Sequence, residues 1–162
     1  MSVKLFNTLS HRVEEFVPED PKNVKIYSCG PTVYNYAHIG NFRTFLFNDL
    51  LRRYLKYRGY NVNHVVNLTD IDDKTIQGAR ADGKELRDFT DKYIDIFFQD
   101  MQSINIEQVE HYPRATDYMS QMIDFVNDLQ QKGVAYSTEG STYFRIDQFQ
   151  GYGKLSGIDL SR

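Results

Sequence analysis

A chain of 162 residues, 41% hydrophobic and 14% aromatic, can bury one sizeable core and a small appendage but not two full domains. Its 19 Lys and Arg stand against 22 Asp and Glu for a net charge of -3, which excludes a surface built throughout for nucleic-acid phosphates and leaves room only for a local basic patch. The single cysteine, Cys29, excludes an internal disulfide and a cysteine-rich zinc module, and the lack of a long apolar run or signal-peptide pattern points to a cytoplasmic protein with no membrane contact.

Residues 17–23, rich in proline and acid, read as a loop. The alternating Val24-Lys25-Ile26-Tyr27-Ser28 reads as a strand running into a turn at Cys29-Gly30-Pro31-Thr32. Phe42, Phe45, Leu46, Leu50, Tyr54 and Tyr57 recur at helical spacing, and Gly59 stands where a left-handed C-terminal cap falls, so a helix is expected over 41–57. Residues 61–68 read as a second strand, completing a right-handed βαβ crossover.

Thr69 or Asp70 then either caps the next helix or touches a substrate. Asp72 and Asp73 read as structural, with a magnesium site or an acid-base pair among Asp70, Asp72 and Asp73, or an Asp73–Lys74 salt bridge, as alternatives. Leu86, Phe89, Tyr93, Ile96, Phe97 and Met101 form one helical stripe, and Tyr118, Met122, Phe125, Val126 and Leu129 form another before Gly133; both are expected in the core. Residues 135–137 and 142–146 flank Thr138-Glu139-Gly140-Ser141 as a hairpin, and 150–162 reads as loop.

The chemistry concentrates between the first strand and the first helix, where α/β sheets hold ligands against loop backbone and a helix N-terminus. Within residues 29–41, Gly40 permits close approach of a nucleotide base, and His38 and Asn41 carry donors for phosphate or ribose oxygens. By residue type alone, a histidine before a helix is equally a cap and a lone cysteine equally a small buried apolar group.

His38-Ile39-Gly40-Asn41 resembles the HIGH signature of class I aminoacyl-tRNA synthetases, and Cys29-Gly30-Pro31-Thr32-Val33-Tyr34 resembles the form taken by its surroundings in cysteinyl-tRNA synthetases. The likeness continues through Leu5-Phe6-Asn7-Thr8-Leu9, Asn67-Leu68-Thr69-Asp70-Ile71-Asp72-Asp73-Lys74, Pro113-Arg114-Ala115-Thr116 and Tyr152-Gly153-Lys154-Leu155-Ser156, in order along essentially the whole chain. It implies an α/β fold. Residues 1–103 would form the first half of a Rossmann-like, HUP-type nucleotide-binding parallel-sheet domain, and residues 104–162 the start of the insertion, or connective, region.

The resemblance also implies a reaction in two steps, in which cysteine and ATP with Mg2+ form cysteinyl-adenylate and the cysteinyl group then passes to tRNA(Cys). His38 and Asn41 would be catalytic, and Gly30, Pro31, Thr32, His38, Ile39, Gly40 and Asn41 would hold ATP. Cys29, Gly30, Thr32 and Thr69 would meet the amino acid. Asn41 replaces the signature's final histidine and keeps a donor without a titratable charge. Cys29 would be one ligand of a zinc ion that selects thiol over hydroxyl. His11, His64 and His111 show no ligand spacing with it, so the chain alone is not expected to hold zinc tightly.

No KMSKS-like sequence is present. The chain is expected to be a fragment of a longer, monomeric enzyme, inactive alone, with a short paralogue that pairs with another chain as the alternative. Two other functions stay open: a related ligase joining cysteine to an amino-sugar, and a truncated, non-catalytic binding module.

Overall fold

The computed structural model describes residues 2–158, so the last four residues of the expected C-terminal loop lie outside it. The chain divides into two compact units, one from Pro18 to Tyr118 and one made of the residues before and after it.

The central unit is built on a parallel strand pair. β3 (Asn23–Ser28) and β4 (Asn61–Val66) run side by side from Asn23 against Asn61 to Ser28 against Val66, with α1 (Ile39–Tyr57) as the crossover. The two shorter strands that precede them, β1 (Lys4–Asn7) and β2 (Arg12–Glu15), form an antiparallel hairpin in the other unit. Alternation places Val24 on the buried side of β3 and Val62, His64 and Val66 on that of β4, while Lys25, Tyr27, Asn61 and Asn63 face outward. α1 ends with Gly59 at φ 89°, the left-handed turn read from the sequence.

α2 (Asp73–Ala81) and α3 (Leu86–Ser103) form a helical hairpin. Val33, Phe45, Leu68, Ile94, Phe97, Met101 and Ile106 make one buried cluster, in which the Phe45 and Phe97 rings meet edge to face at 5.2 Å. The first helical stripe is therefore core at Phe89, Phe97 and Met101.

A third extended segment joins the sheet, which the sequence reading missed. His111 bridges Val65 and Arg114 bridges Leu68, both parallel, and Leu68 N–H donates to the Pro113 carbonyl at 2.8 Å. The compact unit accordingly runs past residue 103 to Tyr118. Arg52, 4% exposed on α1, anchors this segment by ion pairs to Glu107 at 2.7 Å and Glu110 at 2.6 Å.

Burial opposes ionisation of Glu110, but hydrogen bonds from the Arg52 guanidinium and the His64 N–H outweigh it and hold the carboxyl at about 2 against an ordinary 4.5. A carboxyl depressed in the folded state stabilises above its ordinary value, and that contribution is lost as pH falls from about 4.5 toward 2. In urea titrations across this window, the protein should lose more stability than its Glu110→Gln variant; parallel losses would contradict the assignment.

In the other unit, α4 (Met119–Gln131) is followed by β5 (Ala135–Thr138) and β6 (Ser141–Phe144), an antiparallel hairpin as expected, turning at Glu139 and Gly140 with φ 51° and 79°. The expected burial of the second helical stripe is not found. Tyr118, Met122, Phe125 and Val126 are 38–63% exposed. Periodicity identified the apolar side of the helix, of which the C-terminal end at Leu129 is half-buried and the rest exposed. Residues 151–158 are turns and coil, after a short 3-10 helix at Ile146–Gln148.

Candidate active site

The carboxyl ends of β3 and β4 open onto the loop that leads into α1. A cleft of about 360 Å³ lies there, lined by Gly30, Pro31, Thr32, His38 and Asn41 together with Tyr34, Lys74 and Tyr93. Five of the expected site residues are thus gathered around one space. Cys29, Ile39, Gly40 and Thr69 lie outside that lining; Cys29 and Ile39 are exposed, and Thr69 pairs with Thr32 across a parallel bridge.

His38 is the N-cap of α1. Its Nδ1 accepts from Gly40 N–H at 3.0 Å, and its own N–H donates to Asn41 Oδ1 at 3.0 Å. Each bond fixes the chemistry of the remaining atom. An Nδ1 that accepts leaves the proton of the neutral imidazole on Nε2, and an Asn41 oxygen that accepts leaves its Nδ2 as a donor. Capping and ligand binding, which competed as readings of His38, are therefore compatible: the cap consumes the acceptors and leaves the donors. A Cβ on Gly40 would stand 2.9 Å from the imidazole, so glycine is required for the ring to fold over the helix end. No acidic residue occupies the first turn of α1 to offset its positive end.

The wall beside Cys29 is equally constrained. A Cβ on Gly30 would lie 1.7 Å from the carbonyl oxygen of Asn67, so the two strand ends meet backbone to backbone. Gly30 N–H donates to Asn67 Oδ1 at 3.1 Å, and Asn67 Nδ2 donates to Thr69 Oγ1 at 3.0 Å. Thr69 N–H donates to the Pro31 carbonyl at 3.0 Å, and Val33 N–H to the Thr69 carbonyl at 3.1 Å. Ser28, just before Cys29, is held by the buried His64 ring at 2.8 Å. Burial and the nearby Arg52 charge push the His64 pKa down, despite Glu110, so it stays neutral.

Asp72, which the sequence suggested was structural, is the cap of α2, accepting from Thr75 N–H at 2.9 Å. Neither Thr69 nor Asp70 caps it. Asp70, 1% exposed, instead receives the N–H and hydroxyl of Thr116 at 2.9 and 2.6 Å and so ties the loop to the Pro113–Thr116 motif. Lys74 lies with its ammonium 5.0 Å from the centre of the Tyr34 ring, at the cleft, rather than paired with Asp73. Its signal in the sequence was a lysine at the second position of the helix that follows the Asn67–Asp72 segment. Among the described residues no three His, Cys, Asp or Glu side chains group to hold a metal, and the Cys29 thiol meets only the Gly30 carbonyl at 3.5 Å, so these residues alone do not fit a zinc ion.

The fold around this cleft superposes on solved aminoacyl-tRNA synthetases. A structure of methionyl-tRNA synthetase from Mycobacterium tuberculosis, in complex with methionyl-adenylate, superposes with a TM-score of 0.64 over 71% of this chain and 23% of that one, at 18% identity. A second, of the same enzyme bound by methionyl-adenylate, gives 0.62 over 76% and 29%, at 14% identity. At such identities the likeness concerns the fold.

Sequence gives the narrower result. Cysteine--tRNA ligase of Leptospira interrogans serogroup Icterohaemorrhagiae serovar copenhageni is 50% identical over 161 residues, 99% of this chain and 34% of that protein. That of Koribacter versatilis is 49% identical over 162 residues, 99% and 33%. Residues 15–162 match the family described as tRNA synthetases class I (C) catalytic domain, and the chain belongs to that family. It spans about a third of the length of these curated relatives.

Proposed function

We propose that this chain is the ATP- and cysteine-gripping part of a cysteine--tRNA ligase. A carboxylate oxygen of cysteine attacks the α-phosphorus of ATP and pyrophosphate leaves; the resulting cysteinyl-adenylate passes its cysteinyl group to the terminal adenosine of tRNA(Cys), releasing AMP. The observation that carries this reading is that His38 and Asn41, at a helix N-terminus, both line the cleft and each spend an acceptor on the cap, which leaves His38 Nε2 and Asn41 Nδ2 as donors. Fixed donors at a helix's positive end suit charge that grows on phosphate oxygens, and such preorganised contacts stabilise a transition state more than a ground state. Magnesium, which would enter as part of the ATP substrate, would offset phosphate charge there.

The relatives' name favours tRNA over an amino-sugar as acceptor. Cys29 is proposed as one zinc ligand, with the others supplied from outside this sequence. Metal content of the full-length ligase should therefore fall in Cys29→Ser, with the circular dichroism spectrum unchanged; wild-type zinc content would rule out ligation. We assign the nucleotide-binding half to the compact unit ending at Tyr118, which moves the start of the insertion beyond the 103/104 junction read from sequence. The full-length enzyme is taken to be a cytoplasmic monomer; among the described residues no helix is long and apolar enough to cross a membrane.

The test is cysteine-dependent exchange of labelled pyrophosphate into ATP by the full-length ligase, followed by transfer of labelled cysteine. Exchange with transfer to tRNA(Cys) is expected. Exchange with transfer only to an amino-sugar would sink the tRNA assignment, and no exchange would sink the activity.

A further inference from the structure

Asn67 joins two residues expected to meet the amino acid, yet it stands outside the cleft lining and the resemblance gives it no role. Its orientation follows from its partners. Gly30 N–H can only donate, so the atom facing it must be the Asn67 oxygen, and the atom facing Thr69 must then be the NH2 group. A threonine hydroxyl has one proton and two lone pairs. Because Asn67 donates to Thr69 Oγ1, the threonine proton has no use at that contact and is left for another acceptor.

We propose that Asn67 is a positioning residue that holds Gly30 and Thr69 at fixed separation and sets the Thr69 hydroxyl as a donor toward an anionic acceptor of the amino-acid substrate. This rests on the cysteine-activating reading above and names a residue through which that site is preset. The Thr69 backbone is held independently, by Pro31 and Val33. Changing the Asn67 side chain therefore alters the direction of the hydroxyl more than the path of the loop.

The two obvious substitutions act differently. Asn67→Ala removes a donor and leaves the hydroxyl free to rotate. Asn67→Asp keeps the shape and the acceptor for Gly30 N–H but turns the other oxygen into an acceptor, which captures the Thr69 proton and turns it from the substrate.

The experiment is steady-state pyrophosphate exchange with the full-length ligase, comparing wild type, Asn67→Ala, Asn67→Asp, Thr69→Ala and Asn67→Asp/Thr69→Ala. Asn67→Asp should raise the KM for cysteine by about tenfold or more, the scale of a lost hydrogen bond to a charged group, and by more than Asn67→Ala does. The KM for ATP should stay within about twofold, and the double variant should be no worse than Thr69→Ala, because the two residues act as one unit. A cysteine KM near wild type in Asn67→Asp, equal rises for cysteine and ATP, or additive effects in the double variant would overturn the proposal alone. A wild-type enzyme that shows no cysteine-dependent exchange would overturn it together with the functional reading.

Discussion

Replacing His38 by alanine in the full-length ligase should lower cysteine-dependent pyrophosphate exchange by about a hundredfold or more, the scale seen when a preorganised donor to a developing oxyanion is removed. Two losses combine. The Nε2 donor disappears from the cleft, and the Nδ1 acceptor of the Gly40 N–H disappears from the start of α1. An uncapped helix end costs about 1 kcal/mol, which the folded protein tolerates, so the rate should collapse while the far-ultraviolet spectrum does not. His38→Asn separates the two effects. A shorter amide keeps cap chemistry but not the reach of Nε2, and it should restore stability without restoring rate. Exchange within a few fold of wild type in His38→Ala would remove His38 from the chemistry and leave it a cap.

Gly30→Ala should be the most damaging substitution to stability. The added methyl would stand 1.7 Å from the Asn67 carbonyl oxygen and 2.9 Å from Val66 Cγ1, and neither a backbone oxygen nor a buried valine at a strand end can withdraw cheaply. Separating β3 from β4 there also stretches the Gly30–Asn67 bond. A cost of about 3 kcal/mol or more follows, at the upper end for overpacking. Urea denaturation of the full-length ligase checks it, and a wild-type midpoint would show that the strands do not meet as closely as described.

The elements with strong local signals were legible. α1 was anticipated over 41–57 and spans Ile39–Tyr57, because its apolar spacing and Gly59 both act within a few residues. The β3–α1–β4 crossover followed from length and order. The signature loop was legible only through its resemblance, since spacing alone left His38 as a cap or a ligand, and the structure gives it the geometry of a cap with a donor to spare. What failed depended on distant partners. The segment through His111 and Arg114 contains Pro113 and does not alternate; it is extended because β4 offers it hydrogen bonds, not because of its own pattern. The β1–β2 hairpin was missed for a different reason, since its partners are local, Lys4 against Glu15 and Asn7 against Arg12, but its strands are short and do not alternate clearly. Asp70 and Asp72 are chemically identical, and only Thr116, far along the chain, separates the latch from the cap.

The parallel pairing of β3 with β4 carries a consequence for biosynthesis. Asn23 meets Asn61 and Ser28 meets Val66, so every rung of this ladder joins residues 38 positions apart. The third segment adds His111 to Val65 later still. α1 can wind from its own neighbours as it leaves the ribosome, but among the described residues β3 has no sheet partner until β4 has been made, and β4 lacks its second neighbour until the chain has grown past Arg114. The cleft stands at the ends of these strands, so it comes into being only after the residues that line it have long been synthesised. Until then the backbone groups of β3 that β4 pairs in the folded chain stay open to solvent or to other chains.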